Sequence, residues 1–416
     1  MIKIGKFFML LISKMNKKHI LCSLLLYSLL IVANAQSTIQ GYVVDSTQKE
    51  AIVGVQVFLN NTQKGNLTDA NGYFEIENVS EGNYEIVASF IGYKTYIQPI
   101  KITKNANLNL RISLSPQTIE LKEVTITEDK HWEDNYLFFC QAFLGTTPNA
   151  LQCEIKNPKA LKFFFDAPKR ELTAYAKDFL IIENKALGYQ IKYKLEDFAL
   201  NFELGYQTYW GNAFFQEIET KNKKKQKQWA QNRAQAYYGS LTHFLKAVHH
   251  QNYREEGFWV RKLQRIPNRN RLSDDIIQKN LQNLMQQKYS LSSDTMQYWQ
   301  NELKKPRITE ILHSELLPPD SISTPTDSSM VLLQFNDYLH IIYQHEPEDP
   351  TYSYQRKQKQ TAENQSSVLR LVAPYAIIDK KGILLNPLTV VSEEYWAWQE
   401  KVAEMLPYDY QPPENK

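Results

Sequence analysis

The chain lacks a strong charge of either sign, because 48 lysine and arginine residues oppose 45 aspartate and glutamate residues. The first 35 residues hold five lysines and no acid, so their removal turns the formal net charge from +3 to −2. Proteins that bind nucleic acid usually present a basic face. Nucleic acid is therefore not expected as a partner.

A long hydrophobic run is also missing. The apolar stretch at residues 20–32 has 13 residues, whereas a helix that spans a bilayer needs about 20. Lys17 and Lys18 precede this stretch and Ala33-Asn34-Ala35 follows it, which is typical of a secretory signal peptide. We expect residues 1–35 to be removed before Gln36, whether synthesis starts at Met1 or at Met15. The protein is then expected in the periplasm or at the outer membrane.

Recognisable catalytic motifs are missing as well. A zinc peptidase needs His-x-x-Glu and a distant His, but His345-Glu-Pro-Glu348 contains Pro347 and no His follows it. His249 and His250 are adjacent and point to different sides of a helix, which disfavours a shared metal. A nucleophile elbow, a P-loop and a dinucleotide-binding glycine motif are absent. No catalytic residue, metal ligand or cofactor is assigned.

Cysteine is scarce, with three residues in the chain. Cys22 lies in the predicted signal peptide, which leaves Cys140 and Cys153. In an oxidising compartment these two could form a disulfide that closes a short loop. Two small buried side chains are the alternative.

Short alternating segments, separated by turn residues, occupy residues 36–115. In residues 53–59, for example, Val53, Val55, Val57 and Leu59 share one face. Asn71-Gly72 is a hairpin-turn signal. The pattern predicts seven short strands that form a two-layer, all-β sandwich.

Five motifs in this region resemble those of carboxypeptidase regulatory-like domains. The resemblance implies a transthyretin-like or immunoglobulin-like sandwich whose usual role is interaction, sometimes with carbohydrate, and not catalysis. Asp45, Asp69 and Asn71 are interpreted as turn residues, because a calcium site wants about 6–8 oxygen ligands. The motifs are, in order, Gly41-x-Val43-x-Asp45, Gly54-Val-x-Val57, Thr68-Asp-x-Asn-Gly-x-Phe74, Gly82-x-Tyr84 and Ile91-Gly-Tyr93.

Residues 116–128 are predicted to be a linker. The stretch Leu121-Lys-Glu-Val-Thr-Ile-Thr127 is similar to the segment that joins such a sandwich to the plug of TonB-dependent receptors. No plug sequence follows. The similarity therefore implies only a shared location on the periplasmic side of an outer membrane.

Residues 129–416 are predicted to form an α+β region with an antiparallel sheet and amphipathic helices. Five alternating segments between residues 172 and 210 predict a meander. Apolar positions from Ala230 to Val248 repeat every 3.6 residues, which predicts one helix of five turns. Further expectations are a lysine-rich loop before that helix at residues 221–227, a helix over 273–287, an exposed loop over 318–329 and a last helix over 393–405 that Pro407 ends.

Arg233, Ser240 and His243 lie beside or opposite the apolar stripe of the long helix, and we assign them as a candidate polar contact surface. The segment from Trp229 to Phe244 resembles one in uncharacterised envelope proteins that carry the same sandwich, a resemblance that brings no activity with it. Ser240 and His243 are three residues apart, so a nucleophile–base pair is the catalytic alternative.

The sequence thus predicts a non-catalytic binding or structural protein of the cell envelope. Its expected partner is an envelope protein or a glycan, and peripheral association with the outer membrane is compatible with this function. The alternative is a hydrolase of unrecognised class that acts on glycan or peptide through residues 129–416.

Overall fold

The computed structural model describes residues 37–117, 131–286, 293–326, 329–355 and 363–413. The predicted signal peptide and most of the predicted linker lie outside these residues. The described chain divides into two compact units, residues 37–60 with 64–117 and residues 61–63 with 131–413. Among the described helices, none combines the length and the hydrophobicity needed to cross a bilayer.

The first unit contains seven strands in two sheets. They are β1 (Ser37–Asp45), β2 (Gln56–Leu59), β3 (Gly65–Leu67), β4 (Tyr73–Val79), β5 (Gly82–Ser89), β6 (Tyr96–Ile102) and β7 (Asn107–Leu114). One sheet has the order β4-β1-β7 and the other has the order β3-β2-β5-β6. The predicted seven-stranded β domain is confirmed.

Alternation along the strands builds the core of this unit. Val55, Val57 and Leu59 are fully buried, as their shared face predicts, whereas Val53 is 57% exposed because it lies with Gly54 in a turn that precedes the strand. β1 pairs parallel with β7, and a side chain at Gly41 would lie 1.9 Å from the carbonyl oxygen of Leu110. The first motif glycine is therefore needed for the close approach of two backbones.

The polar motif residues of the first unit stabilise its turns. Asp69 Oδ1 accepts hydrogen bonds from the backbone N–H groups of Asn71 (2.8 Å) and Tyr73 (2.9 Å). Asp45 Oδ1 accepts from the N–H of Gln48 (2.8 Å), and its Oδ2 accepts from the Tyr93 hydroxyl (2.7 Å). These bonds lower the pKa of Asp45, the Gln48 bond most of all. The interpretation of these residues as turn residues is confirmed.

The second unit begins with helix α1 (Trp132–Phe143) and a six-stranded sheet. The strands are β8 (Cys153–Ile155), β9 (Leu161–Asp166), β10 (Glu171–Ala176), β11 (Leu180–Asn184), β12 (Tyr189–Asn201) and β13 (Tyr206–Glu217). β12 pairs antiparallel with β10, β11 and β13. A bulge between Leu195 and Asp197 merges two predicted strands into this central one, so the meander prediction is wrong in its connectivity.

The rest of the second unit contains a five-stranded and a three-stranded sheet, both antiparallel. Their strands are β14 (Phe258–Pro267), β15 (Ile308–Leu316), β16 (Ser323–Pro325), β17 (Met330–Leu333), β18 (Tyr338–Pro347), β19 (Asn364–Leu371), β20 (Ala376–Asp379) and β21 (Val390–Glu394). The orders are β15-β14-β18-β19-β21 and β16-β17-β20. The antiparallel sheets with helices confirm the predicted class, but β16 lies inside the predicted exposed loop.

The described residues of this unit form six further α-helices. They are α2 (Lys223–Tyr237), α3 (Leu241–His249), α4 (Asp274–Gln286), α5 (Ser293–Lys304), α6 (Pro350–Gln355) and α7 (Tyr395–Gln399). The predicted final helix over residues 393–405 is wrong in its extent: only α7 forms within it, because residues 390–394 form β21 and a short 3₁₀ turn follows α7.

The predicted single helix over residues 230–248 is also wrong. α2 ends at Tyr237 because Tyr238 is extended, with ψ of 135°. Gly239, with φ of 78°, completes a turn in which the Ser240 N–H donates to the Tyr237 carbonyl oxygen, and Ser240 caps α3.

Four of the five lysines between residues 221 and 227 lie in the first turns of α2 and not in a loop, whereas Lys221 precedes the helix. Asn222 Oδ1 accepts hydrogen bonds from the N–H groups of Lys224 (3.0 Å) and Lys225 (3.2 Å), so capping outweighs the unfavourable lysine–dipole interaction.

Candidate functional site

Ser240 and His243 lie at the start of α3, where the turn after α2 places them side by side. Ser240 Oγ accepts a hydrogen bond from the backbone N–H of His243 at 3.1 Å. Both residues are almost completely buried, with 5% and 4% of their surface exposed. The serine hydroxyl therefore serves as a helix cap and does not contact the imidazole of His243.

The imidazole of His243 is held by partners on both nitrogens. Nδ1 accepts from the backbone N–H of Gly239 at 3.2 Å, and Nε2 lies 3.2 Å from the Glu256 carboxylate. Because Nδ1 accepts, the proton of the neutral ring sits on Nε2, which donates to Glu256. Burial lowers the pKa of His243, and the Glu256 carboxylate opposes part of that shift. Tyr237, Phe258 and Tyr343 surround the ring.

This arrangement is unsuited to a nucleophile–base pair. A general base must reach the hydroxyl that it deprotonates, whereas both nitrogens of His243 have other partners and Ser240 Oγ is engaged with a backbone N–H. The pair stabilises the turn between α2 and α3.

Arg233 lies on α2 and donates hydrogen bonds to the turn between β11 and β12. Its Nε donates to the carbonyl oxygen of Leu187 at 2.7 Å, and its Nη1 forms an ion pair with Glu217 at 2.7 Å. The guanidinium group lies 3.9 Å from the centre of the Tyr189 ring. Trp229, one helical turn earlier, donates from Nε1 to the carbonyl oxygen of Lys185 at 2.8 Å. The Trp229 and Arg233 motif is thus explained by contacts within the fold.

The three residues assigned as a polar contact surface therefore do not form one. Ser240 and His243 are buried, and the Arg233 side chain is only 13% exposed. The physical reason is that each polar group has a partner inside the fold: Ser240 caps α3 locally, whereas Arg233 contacts Leu187 and His243 contacts Glu256, which local periodicity does not reveal.

Cys140 and Cys153 are both free cysteines in the structure, so the candidate disulfide is not formed. Cys153 Sγ contacts the carbonyl oxygen of Asn149 at 3.5 Å, and burial raises the pKa of its thiol to about 12. Burial also raises the pKa of Cys140. Both thiols are therefore protonated at neutral pH and are poor nucleophiles.

The histidines considered for a metal are used in other contacts. His249 Nε2 donates to the carbonyl oxygen of Ser329 at 3.3 Å, and His250 Nδ1 donates to that of Lys246 at 2.8 Å. His345 lies on β18, in a strand and not in the helix that a zinc peptidase motif requires. Across the described residues no group of three His, Cys, Asp or Glu side chains could hold a metal ion.

Two carboxylates near the C-terminal end were not identified from the sequence. Glu404 accepts hydrogen bonds from Thr147 Oγ1 and from Asn149 Nδ2, the latter at 2.8 Å. Glu400 Oε1 accepts from the N–H of Leu241 at 2.8 Å, at the start of α3. Burial raises the pKa of Glu400 to about 7. These carboxylates stabilise distant turns, and Glu400 changes charge near neutral pH.

Within the described residues, one face of the six-stranded sheet is uncovered along β9, β10 and the adjoining halves of β12 and β13, and this part carries aromatic side chains. Phe139 and Phe143 of α1 pack on the opposite face, against Phe198 and Tyr193. The rings on the uncovered face are Phe164 (58% exposed), Tyr175 (58%), Tyr206 (42%) and Trp210 (47%). We call these four residues, with Thr173 and Thr208, the open aromatic face.

Strand register places these residues in rows. Thr173 lies opposite both Phe164 and Ala199, and Ala199 lies opposite Thr208. Trp210 is next to Thr208 on the same side of β13 and lies opposite Asp197. Four adjacent strands about 4.8 Å apart span about 14 Å. The sequence signal for this face is Tyr206, Thr208 and Trp210 at alternating positions, a pattern that by itself predicts only a strand.

Near one end of this face, polar groups are already ordered. The Tyr206 hydroxyl donates to Glu171 Oε2 at 3.1 Å, and Asn201 Nδ2 contacts the same oxygen at 3.4 Å. The face thus combines flat apolar rings with fixed hydroxyl and carboxylate groups, which can bind a ligand that has both characters.

The chain was compared with known proteins. No curated protein matches it. A type II cohesin–X-dockerin complex from Acetivibrio cellulolyticus is similar at 26% identity, over 27% of this chain and 76% of that one, with a TM-score of 0.19. The pilus 2b backbone protein of group B streptococcus is similar at 19% identity, over 20% and 42% of the two chains, with a TM-score of 0.17.

The major pilin subunit BcpA of Bacillus cereus is similar at 18% identity, over 20% of this chain and 30% of the pilin, with a TM-score of 0.18. The matched segments thus span less than half of either pilin. Residues 39–126 match the family model of the CarboxypepD_reg-like domain. The first unit is therefore a carboxypeptidase regulatory-like domain, as its five motifs predicted, while the region after it is not recognised.

Proposed function

We propose that this chain is a non-catalytic binding protein of the cell envelope and that its second unit binds a glycan on the open aromatic face. The observation that carries the proposal is the exposure of Phe164, Tyr175, Tyr206 and Trp210 on one sheet face. Apolar side chains grouped on a surface typically mark an interaction site. Tyrosine and tryptophan suit this role because they join a large apolar area to a polar tip.

A sugar ring matches this chemistry. One side of the ring presents C–H groups that can stack on an aromatic side chain, while its rim presents hydroxyl groups. The Trp210 ring offers the flat surface, and Asp197, opposite it, offers a carboxylate that accepts hydrogen bonds. Thr173 and Thr208 add hydroxyl groups between the rings. An extended glycan could contact several of these positions at once.

Two further arguments favour binding over catalysis. The Ser240 hydroxyl and the His243 imidazole, which were the catalytic alternative, are committed to contacts inside the fold. The first unit is a carboxypeptidase regulatory-like domain, whose usual role is interaction. Export is proposed from the basic residues, apolar stretch and small residues that precede Gln36.

The test is glycan binding by the protein from Gln36 to Lys416, measured by affinity electrophoresis in gels that contain bacterial envelope polysaccharides, followed by calorimetry. We expect binding to at least one of them. Because a central aromatic contact is worth about 2 kcal/mol or more, Trp210→Ala should weaken binding about thirtyfold.

Trp259→Ala is the matched control, because Trp259 is 42% exposed but lies on β14, in another sheet. It should leave the affinity unchanged. Absence of binding to every polysaccharide, or equal losses in the two variants, would contradict the proposal. Release of shorter saccharides during the assay would instead favour the hydrolase alternative.

A further inference from the structure

The five-stranded sheet ends in an unusually exposed edge strand. β15 is the last strand of the sheet, and within the residues that the structure describes it pairs only with β14. Its first eight residues are exposed and the ninth is half-buried. Such an edge presents backbone N–H and C=O groups that a further strand can satisfy.

The features that usually protect an edge are mostly missing from β15. Protected edges are short or carry lysine or proline, whereas β15 has nine residues and neither residue type. Its first acid, Glu310, forms an ion pair with Arg265 at 2.7 Å, so the chain itself compensates that charge. Ile308, Ile311 and Leu312 are 49%, 40% and 43% exposed. The edge is therefore apolar enough to favour pairing.

The sequence of β15 is compatible with pairing to itself. In an antiparallel arrangement centred on Leu312, each residue faces its counterpart across a two-fold axis. No acid faces an acid in this register, so like-charge repulsion does not oppose it. The facing pairs are Leu312 with Leu312, Ile311 with His313, Glu310 with Ser314, Thr309 with Glu315 and Ile308 with Leu316.

We propose that two copies of this chain associate through β15, whose exposed edge pairs antiparallel with the same strand of a second copy around Leu312. The two five-stranded sheets then form one continuous sheet of ten strands. The proposal is independent of the glycan proposal, because β15 belongs to a different sheet from the open aromatic face. Two copies would also present two such faces to one polymer, which raises avidity.

The first test is the molar mass of the protein from Gln36 to Lys416, measured by sedimentation over a wide concentration range. We expect a dimer. Leu312→Lys places two lysines opposite each other and removes two apolar contacts, so dimerisation should weaken about a hundredfold. Leu204→Lys is the control, because Leu204 is 72% exposed but lies outside β15. Circular dichroism checks that both variants fold.

A second test reports the register. With a short thiol-specific crosslinker, Leu312→Cys should give a covalent dimer, because the two introduced thiols face each other. Leu204→Cys should not, and it controls for the partly buried Cys140 and Cys153. A monomeric parent protein would overturn the proposal. So would a dimer that Leu312→Lys leaves intact, or equal crosslinking of the two cysteine variants.

Discussion

The turn at Gly239 provides the sharpest test of how the second unit is held together. Gly239 has φ of 78°, and an added Cβ would lie 2.4 Å from Gln365 Oε1 and 2.7 Å from Tyr343 Cδ1. The left-handed conformation costs an L-residue about 1–2 kcal/mol, and overpacking a core costs about 1–3 kcal/mol. We expect Gly239→Ala to lower the free energy of unfolding by about 2–5 kcal/mol.

A matched glycine separates the two contributions. Gly205 also has a positive φ, 66°, but a Cβ there would meet no atom within 4 Å. Gly205→Ala should therefore cost only the conformational part, about 1–2 kcal/mol. Both variants are compared by urea denaturation followed by tryptophan fluorescence, on the transition of the second unit. If the two variants lose the same stability, Gly239 is not packed against Tyr343 and Gln365 as described, and the reasoning fails.

Two other predictions concern Glu400 and the N-terminus. Because Glu400 has a pKa of about 7 in the folded protein, above its ordinary value of 4.5, its stabilising effect is complete below about pH 4.5 and is lost as the pH rises through 7. Glu400→Gln should keep an acceptor for the Leu241 N–H. Because glutamine does not ionise, the pH dependence should be flatter, and between pH 4.5 and pH 8 the variant should lose about 1–3 kcal/mol less free energy of unfolding than the parent protein. The exposed Glu203→Gln serves as control, and an unchanged pH profile of the urea midpoint in Glu400→Gln would count against the assignment. Finally, N-terminal sequencing of the protein from the cell envelope should begin at Gln36, and recovery of intact residues 1–35 from the cytoplasm would contradict the proposed export.

Much of the first unit was predictable because its determinants are local. Asp69 and Gly72 act within one turn, and the alternation of Val55, Val57 and Leu59 sets a buried face directly. Asp45 and Tyr93 both stand in motifs, but the hydrogen bond between them was not predicted. The parallel pairing of β1 with β7 was not predicted, because nothing in either strand encodes the direction of its neighbour.

The second unit was less predictable because two local signals conflicted. Gly239 and Ser240 are signals for a turn and for the cap of the next helix. The apolar repeat nevertheless continues across them, since Tyr237 and Leu241 both fit a single helix, and the periodicity prevailed in the prediction. At this turn the extended backbone of Tyr238 and the positive φ of Gly239, and not hydrophobic periodicity, decide where the chain changes direction.

The same contrast explains why the candidate site was placed incorrectly. A polar residue on a helix looks exposed when its partners are far away in sequence, as the partner of Arg233 at Leu187 is. An aromatic residue in a strand looks buried, although Trp210 is 47% exposed. Arg233, Ser240 and His243 are compensated by partners inside the fold, so they have little capacity left for a ligand. The groups that can still bind a partner are the exposed rings and the outer edge of β15, because their burial on binding would stabilise a complex.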